Sequence, residues 1–285
     1  MKIGLIGLGY WGKIILKNLV NLGYKDFVIC EKNEVDWNQF GTKYNLVKSY
    51  KDVECDVAFV ITETTTHYDI CKSFLSRGID VFCEKPLTLD YESSLQLYEE
   101  AAKNNSRLFV DWVFTYNPCV EIISELIKKK GKPKNIIANR LNYGPIRNDV
   151  DARWDLASHD VSIARYLLNE NPHRVDWLNF KRNPNSIQND SAVGILSFEN
   201  TSVQINVSWE YGKKDRLYSI EFDDGLVYWD DNGKTVTSNF KQLTVPDYSP
   251  LHKSIGCFLN GDYDKTKQQN LTLDTIRILQ HENSF

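Results

Sequence analysis

No run in this chain of 285 residues approaches the roughly 18 uncharged apolar residues that a membrane-spanning helix needs, so no membrane partner is expected. Cysteine pairs are missing as well. Cys30, Cys55, Cys71, Cys83, Cys119 and Cys257 are scattered without a C-x-x-C, which points to reduced, mostly buried thiols rather than a zinc or disulfide framework. The five histidines stand far apart, and none pairs with a cysteine at finger-like spacing, so no metal is expected. Positive charge is not in excess: the net charge is −4, which gives nucleic acid no basic footprint to bind. Met1 to Gly9 has no basic leader followed by a long apolar core, so the expectation is a cytoplasmic chain without a secretion signal. Disorder is excluded by an apolar share of 42% against 25% charged residues.

What is present is alternation. Ile3 to Ile6, Phe27 to Cys30, Val57 to Ile61, Asp80 to Cys83 and Leu108 to Asp111 read as short buried strands. Between them lie helical patterns: one through Ile14, Ile15, Leu19 and Leu22, one over His67 to Arg77, and one over Tyr91 to Lys103 capped by Asp90. Strands alternating with helices over short connections predict a doubly wound parallel sheet. Asn117-Pro118 then opens a helix that ends at Lys128-Lys129-Lys130 and Gly131, with the lysines against the negative end of the helix dipole. Beyond it the pattern changes. Val203, Ile205, Val207 and Trp209 alternate with polar residues as in a half-buried antiparallel strand, and Asp224-Gly225 and Asn232-Gly233 mark hairpin turns. The expected fold is therefore α/β in residues 1–117, followed by an α+β domain with an open antiparallel sheet in residues 118–285.

Gly7-x-Gly9-x-x-Gly12 stands between the first strand and the first helix. That context suits a dinucleotide: Gly7 for the tight turn, Gly9 for close approach of a pyrophosphate, Gly12 for helix–strand packing. The helix start offers its free N–H groups to the phosphates. Glu31, directly after the second strand, stands where a carboxylate holds the adenosine ribose hydroxyls. It favours NAD over NADP, with Lys32 beside it leaving NADP open. Lys85, in Glu84-Lys85-Pro86 after the strand ending at Cys83, falls at the carboxyl edge where open α/β sheets bind ligands. A lysine there suits a substrate oxygen on which negative charge develops, although such a residue is also common on a plain surface.

The glycine fingerprint, Thr62-Glu63-Thr64-Thr65-Thr66-His67, Glu84-Lys85-Pro86 and Asp155-Leu156-Ala157-Ser158-His159 occur in an order that resembles the glucose–fructose oxidoreductase / inositol dehydrogenase / rhizopine catabolism (Gfo/Idh/MocA) family over nearly the whole chain. The resemblance implies a Rossmann domain, an open-sheet second domain, and a catalytic set of Lys85, Asp155 and His159. In that set Asp155 orients the imidazole and His159 exchanges the hydroxyl proton. It implies cofactor contacts at Gly7, Gly9, Tyr10, Trp11, Gly12, Glu31, Thr62, His67, Glu84 and Lys85. Substrate contacts are expected at Tyr116, Asn117, Arg153 and Trp154, with packing as the alternative for Trp154 and ion pairing for Arg147 and Arg153. Three positions depart from the family pattern: Glu63 replaces a proline, Thr115 an arginine, and Asp111 a glycine.

The activity this implies is hydride transfer between NAD(P) and a secondary hydroxyl or ketone of a sugar or nucleotide sugar, an activity suited to surface-polysaccharide metabolism. A non-catalytic sensor on the same fold is the alternative, against which the joint presence of Lys85 and His159 argues. A reductase of a pigment-like carbonyl would need an apolar pocket, which Tyr116, Asn117, Asn142 and the arginines do not favour. Large apolar sheet faces seldom stay wet, so a homodimer or homotetramer through the second sheet is expected, with Trp209, Tyr228 and Trp229 on that face.

Overall fold

The computed structural model of the chain describes residues 1–36 and 44–281. Its elements are β1 (Ile3–Ile6), α1 (Tyr10–Asn21), β2 (Phe27–Cys30), β3 (Asn45–Val47), β4 (Val57–Val60), α2 (His67–Leu75), β5 (Asp80–Cys83), α3 (Tyr91–Lys103), β6 (Leu108–Val110) and α4 (Pro118–Lys130). There follow β7 (Asn135–Tyr143), α5 (Ser158–Leu168), β8 (Arg174–Phe180), β9 (Ser191–Ser197), β10 (Ser202–Ser208), β11 (Glu210–Asp215), β12 (Leu217–Phe222), β13 (Gly225–Asp230), β14 (Thr235–Ser238), β15 (Lys241–Gln242), α6 (Pro250–Asn260) and α7 (Lys265–Gln280). The chain forms two compact units, one of residues 1–111 with 251–270, the other of residues 112–250 with 271–285. A single cut at 117/118 does not describe this division, because α6 returns to the first unit from far along the chain.

In the first unit the strands run parallel in the order β3-β2-β1-β4-β5-β6. The central four are buried on both faces, which is why they read as continuous apolar runs rather than alternating ones. The order in which the chain adds strands reverses between β1 and β4, and this switch point is where such sheets bind ligands outside their carboxyl ends. α6 completes the core: Phe258 meets Phe59, Phe82 and Phe109 with ring centroids 5.6 to 5.8 Å apart. Gln268 of α7 donates to the Val110 carbonyl at 2.6 Å and accepts from the Tyr98 hydroxyl at 3.1 Å.

In the second unit a nine-stranded sheet runs β15-β14-β13-β12-β7-β10-β9-β8, with β11 paired to β7. Both hairpins read from the sequence form, Phe222 opposite Gly225 and Asp230 opposite Thr235. The sheet is mostly antiparallel, but β10 runs parallel to β7, a pairing that alternation alone does not disclose. One face is covered: Ile136, Ala138, Val203, Ile205, Tyr218, Ile220, Val227 and Trp229 are buried there. Trp209 and Trp229, expected on the open face, are fully buried, and only Tyr228 of the three stays half-buried on the other side. Tyr228 differs from Trp229 by one residue, and one residue along a strand changes the face.

Candidate active site

Four strands of the first sheet end in loops that continue the ladder by one residue. Gly7 N–H donates to Cys30 O, Ile61 N–H to Ile6 O, Glu84 N–H to Val60 O and Asp111 N–H to Cys83 O, at 2.8 to 3.0 Å. The loops carrying Gly7, Thr62, Glu84 and Lys85 are therefore brought to one edge of one sheet. Gly7 has φ +93°, and a Cβ on it would lie 2.5 Å from Ile61 O. A Cβ on Gly12 would lie 2.1 Å from Gly7 O, so α1 packs on the turn only because both positions lack side chains.

Gly9 differs. Nothing stands within 4 Å of where its Cβ would be, and it begins α1 without a side-chain cap. That leaves open space in front of the first N–H groups of the helix, the geometry a pyrophosphate requires. Tyr10 beside it is 82% exposed, and the Trp11 indole N–H is buried without an acceptor. Glu31 accepts from Leu8 N–H at 2.9 Å and from Asn33 N–H at 2.9 Å. Partial burial works against its charge, yet these bonds outweigh it and hold the carboxyl below its ordinary range. The second-strand carboxylate is thus ionised and tied to the glycine turn, and this set of residues fits a dinucleotide.

His67 is placed differently from a cofactor ligand. It is 1% exposed, its Nδ1 lies 2.9 Å from Pro86 O, and its Nε2 lies 3.1 Å from Thr62 O. Both ring nitrogens face backbone carbonyls, so the side chain ties the loop after β4 to the loop carrying Lys85. Thr62 hydrogen-bonds Thr66 through its hydroxyl at 2.7 Å, and Lys85 N–H donates to Glu84 Oε2 at 3.0 Å. Asp111 is fully buried and its Oδ2 has no partner. Burial pushes its carboxyl up to about 7, against the hydrogen bond from the Ser254 hydroxyl at 2.6 Å.

In the second unit His159 lies in the first turn of α5, after a π-helical stretch Arg153–Ala157 that contains Asp155. The Asp155 carboxylate accepts from Arg147 Nη1 at 3.1 Å and from the Trp209 indole at 3.2 Å. Arg147 also holds Asp149 and serves as an ion-pair partner rather than a free anion receptor. The His159 ring meets Phe114 edge-on at 5.0 Å, and the Arg140 guanidinium lies 4.5 Å above the same Phe114 ring. Arg140, 3% exposed, donates to both oxygens of Asp160 at 2.7 to 3.0 Å, and the Tyr218 hydroxyl donates to Asp160 as well. Burial opposes the charge on Arg140, but Asp160 outweighs it and keeps the guanidinium firmly protonated.

The expected substrate contacts divide. Asn117 caps α4, accepting from Cys119 N–H at 2.9 Å, and its amide also reaches Asp231 at 3.5 Å. Tyr116 closes the short 3-10 turn that contains Phe114. Trp154 is buried and packs. Arg153 reaches the backbone carbonyl of His281 at 3.5 Å and lies 6.0 Å over the Trp177 ring, which directs it towards the chain's last helix. Sequence reasoning gave no role to Phe114, Asp160 or Tyr218. One signal was available: Arg140 occupies an inward position of β7, where alternation calls for an apolar residue.

Among the described residues no helix is long and apolar enough to cross a membrane, and no cluster of three or more His, Cys, Asp or Glu side chains could hold a metal. Residues 1–112 match the model of an oxidoreductase family with an NAD-binding Rossmann fold, and residues 133–228 match the GFO/IDH/MocA C-terminal domain. A myo-inositol 2-dehydrogenase of Thermotoga maritima is 27% identical over 190 residues, which span 61% of this chain and 57% of that enzyme. An inositol 2-dehydrogenase of Salmonella paratyphi B is 22% identical over 74% of this chain and 69% of its own length. Among solved structures, a UDP-N-acetylglucosamine 3-dehydrogenase of Acidithiobacillus ferrooxidans superposes with a TM-score of 0.87 at 19% identity, covering 98% of this chain and 95% of that one. The WlbA dehydrogenase of Bordetella pertussis, solved with NADH and UDP-GlcNAcA, superposes with a TM-score of 0.81 at 16% identity, covering 98% and 93%.

Proposed function

The chain belongs to the Gfo/Idh/MocA oxidoreductase family, and we propose that it transfers a hydride between NAD and a secondary hydroxyl or ketone of a sugar or nucleotide sugar. The observation that carries this reading is the carboxyl edge of the first sheet, where the open glycine turn, ionised Glu31 and Lys85 belong to adjoining loops. Bound NAD supplies the hydride acceptor, and NADH the donor in the reverse direction. In this reading the role of His159 is to exchange the hydroxyl proton, and the role of Lys85 is to offset negative charge that develops on a substrate oxygen. Asp155, itself held by Arg147 and Trp209, fixes the turn that leads into His159. His67 positions the Lys85 loop through the Pro86 carbonyl.

The relatives named above are dehydrogenases of inositol and of UDP-N-acetylglucosamine, which supports a polyhydroxylated substrate. The test is a panel of polyols and nucleotide sugars with NAD and NADP, followed at the absorbance of the reduced nicotinamide. NAD-dependent turnover is expected with at least one of them, and Lys85→Ala is expected to lower kcat about a hundredfold or more, the scale of losing one charge-stabilising donor. Turnover untouched by Lys85→Ala would remove the mechanism. Cofactor binding with no turnover on any probe would favour a sensor.

A further inference from the structure

A histidine ring is not fixed by its backbone, because the torsion that turns an imidazole about its Cβ–Cγ bond is broad and roughly two-fold. Proton exchange at one ring nitrogen needs that torsion held, so a group packed on the His159 ring bears on the chemistry. Phe114 is packed on it. The two rings stand edge-on with centroids 5.0 Å apart and planes at 73°, within the range of favoured aromatic pairs. Both side chains are only half-buried, so the contact lies at the border of the core rather than within it. Phe114 is in turn held by two neighbours. The Arg140 guanidinium lies 4.5 Å from the centre of its ring, and the ring of Trp229, which has no exposed surface, meets it at 6.2 Å. Both supports lead back to Asp160, the residue next to His159 in α5. Arg140 donates to both Asp160 oxygens, and Tyr218, stacked on Trp229 at 4.5 Å, donates its hydroxyl to the same carboxylate. Two circuits thus leave the His159 ring through Phe114 and close on the neighbouring residue of the same helix. A core that needed only bulk would be served as well by apolar residues, since a buried ion pair adds little net stability. What Arg140 adds is a planar group pinned by its own hydrogen bonds, against which a ring cannot drift.

We propose that Phe114 is a positioning residue: held by Arg140 and Trp229, it confines the His159 imidazole to the orientation in which the ring exchanges the hydroxyl proton. What that orientation serves rests on the dehydrogenase reading, whereas the confinement itself is a property of the second unit alone. Phe114 has no ionisable group, so its contribution is geometric and belongs to the turnover step rather than to cofactor binding.

The experiment reads the ring directly, so it stands whether or not a reaction is found. Carbon-13 relaxation of the His159 Cε1–H, its signal identified by its loss in His159→Asn, is measured in wild type, Phe114→Leu and Phe114→Tyr. Leucine keeps the apolar bulk without the plane, and tyrosine keeps the plane. The wild-type order parameter is expected near that of a rigid backbone, about 0.85, and should fall below about 0.6 in Phe114→Leu. Phe114→Tyr should hold the wild-type value. The Trp209 indole N–H, tied to Asp155, is the internal reference and should stay rigid in all three. With any polyol or nucleotide sugar that turns over with NAD, Phe114→Leu should lower kcat about tenfold or more and change the KM for NAD less than about threefold, with Phe114→Tyr retaining kcat. The proposal is overturned if the wild-type ring is already mobile, if Phe114→Leu leaves its order unchanged, or if Phe114→Tyr is as loose as Phe114→Leu. It is overturned equally if kcat survives in a chain whose ring has loosened, or if Trp209 loosens with it, since a general loss of structure would then be the cause. Should the ring loosen as expected while no probe turns over in wild type, the dehydrogenase reading fails and the confinement of the ring stands.

Discussion

At Asp160 one buried carboxylate answers three donors: Nε and Nη2 of Arg140 and the hydroxyl of Tyr218. Removing it leaves a guanidinium 3% exposed without its counter-ion. Asp160→Asn is therefore expected to cost about 3–5 kcal/mol in urea unfolding, as for other broken buried pairs. Replacing Arg140 and Asp160 together by Met and Leu should cost distinctly less, because no charge is then stranded. A double replacement as damaging as the single one would mean that the pair is itself a large net source of stability. The glycine turn was legible from sequence at this scale because its demands are local: a positive φ at Gly7, and no room for a side chain at Gly12. The pairing of Arg140 with Asp160 was not, since it joins a strand to a helix across 20 residues, and nothing in either segment names the other. His67 illustrates the same limit. Its motif was visible, but its buried bridge from Thr62 to Pro86 depends on two loops lying side by side.

Among the elements, α6 is the one whose place could not be assigned from its residues. Its amphipathic pattern shows that one face is buried, but not which sheet covers it. Phe258 has no exposed surface and packs on Phe59, Phe82 and Phe109, while its carbonyl accepts from Arg107 Nη1 at 2.9 Å. Phe258→Ala is expected to destabilise the chain by about 3–5 kcal/mol, through lost burial plus the cavity left among three rings that cannot collapse onto it. Guanidinium unfolding would check this, and a cost below about 1 kcal/mol would show that α6 is dispensable to the core. The β-strands of the first unit were legible because burial on both faces writes them as unbroken apolar runs. β3 was missed for the opposite reason: its pattern Asn45-Leu46-Val47 lies at the sheet edge, half exposed, and carries little apolar signal. The π-helical turn at Arg153–Ala157 was missed too, because its residues fit an α-helix as well as a π turn.

For the whole molecule the open question is what lies against the uncovered face of the nine-stranded sheet. Along paired positions this face runs Asp176, Ile195, Gln204, Ile137, Ser219, Tyr228 and Thr237, with Leu178 and Val193 in the neighbouring row. Leu178 is 53% exposed, and Ile195 and Leu226 are each 37% exposed. The centre is polar but internally satisfied: Asn206 donates to Asn139 at 2.9 Å, and Gln204 donates to Asn206 at 3.0 Å. Apolar residues around amides that already have partners suit a flat, self-complementary contact, because little hydrogen bonding is lost when water leaves. We therefore propose that copies of the chain associate through this face as a homodimer or homotetramer. Sedimentation should return a multiple of 33.0 kDa, and Ile195→Lys should shift it towards a single chain while leaving the far-ultraviolet circular dichroism unchanged. A lysine there would stand opposite a second copy's equivalent apolar row and would have to be desolvated for the contact to form. A wild-type mass of one chain, or an assembly indifferent to charge at residue 195, would assign the face to solvent instead.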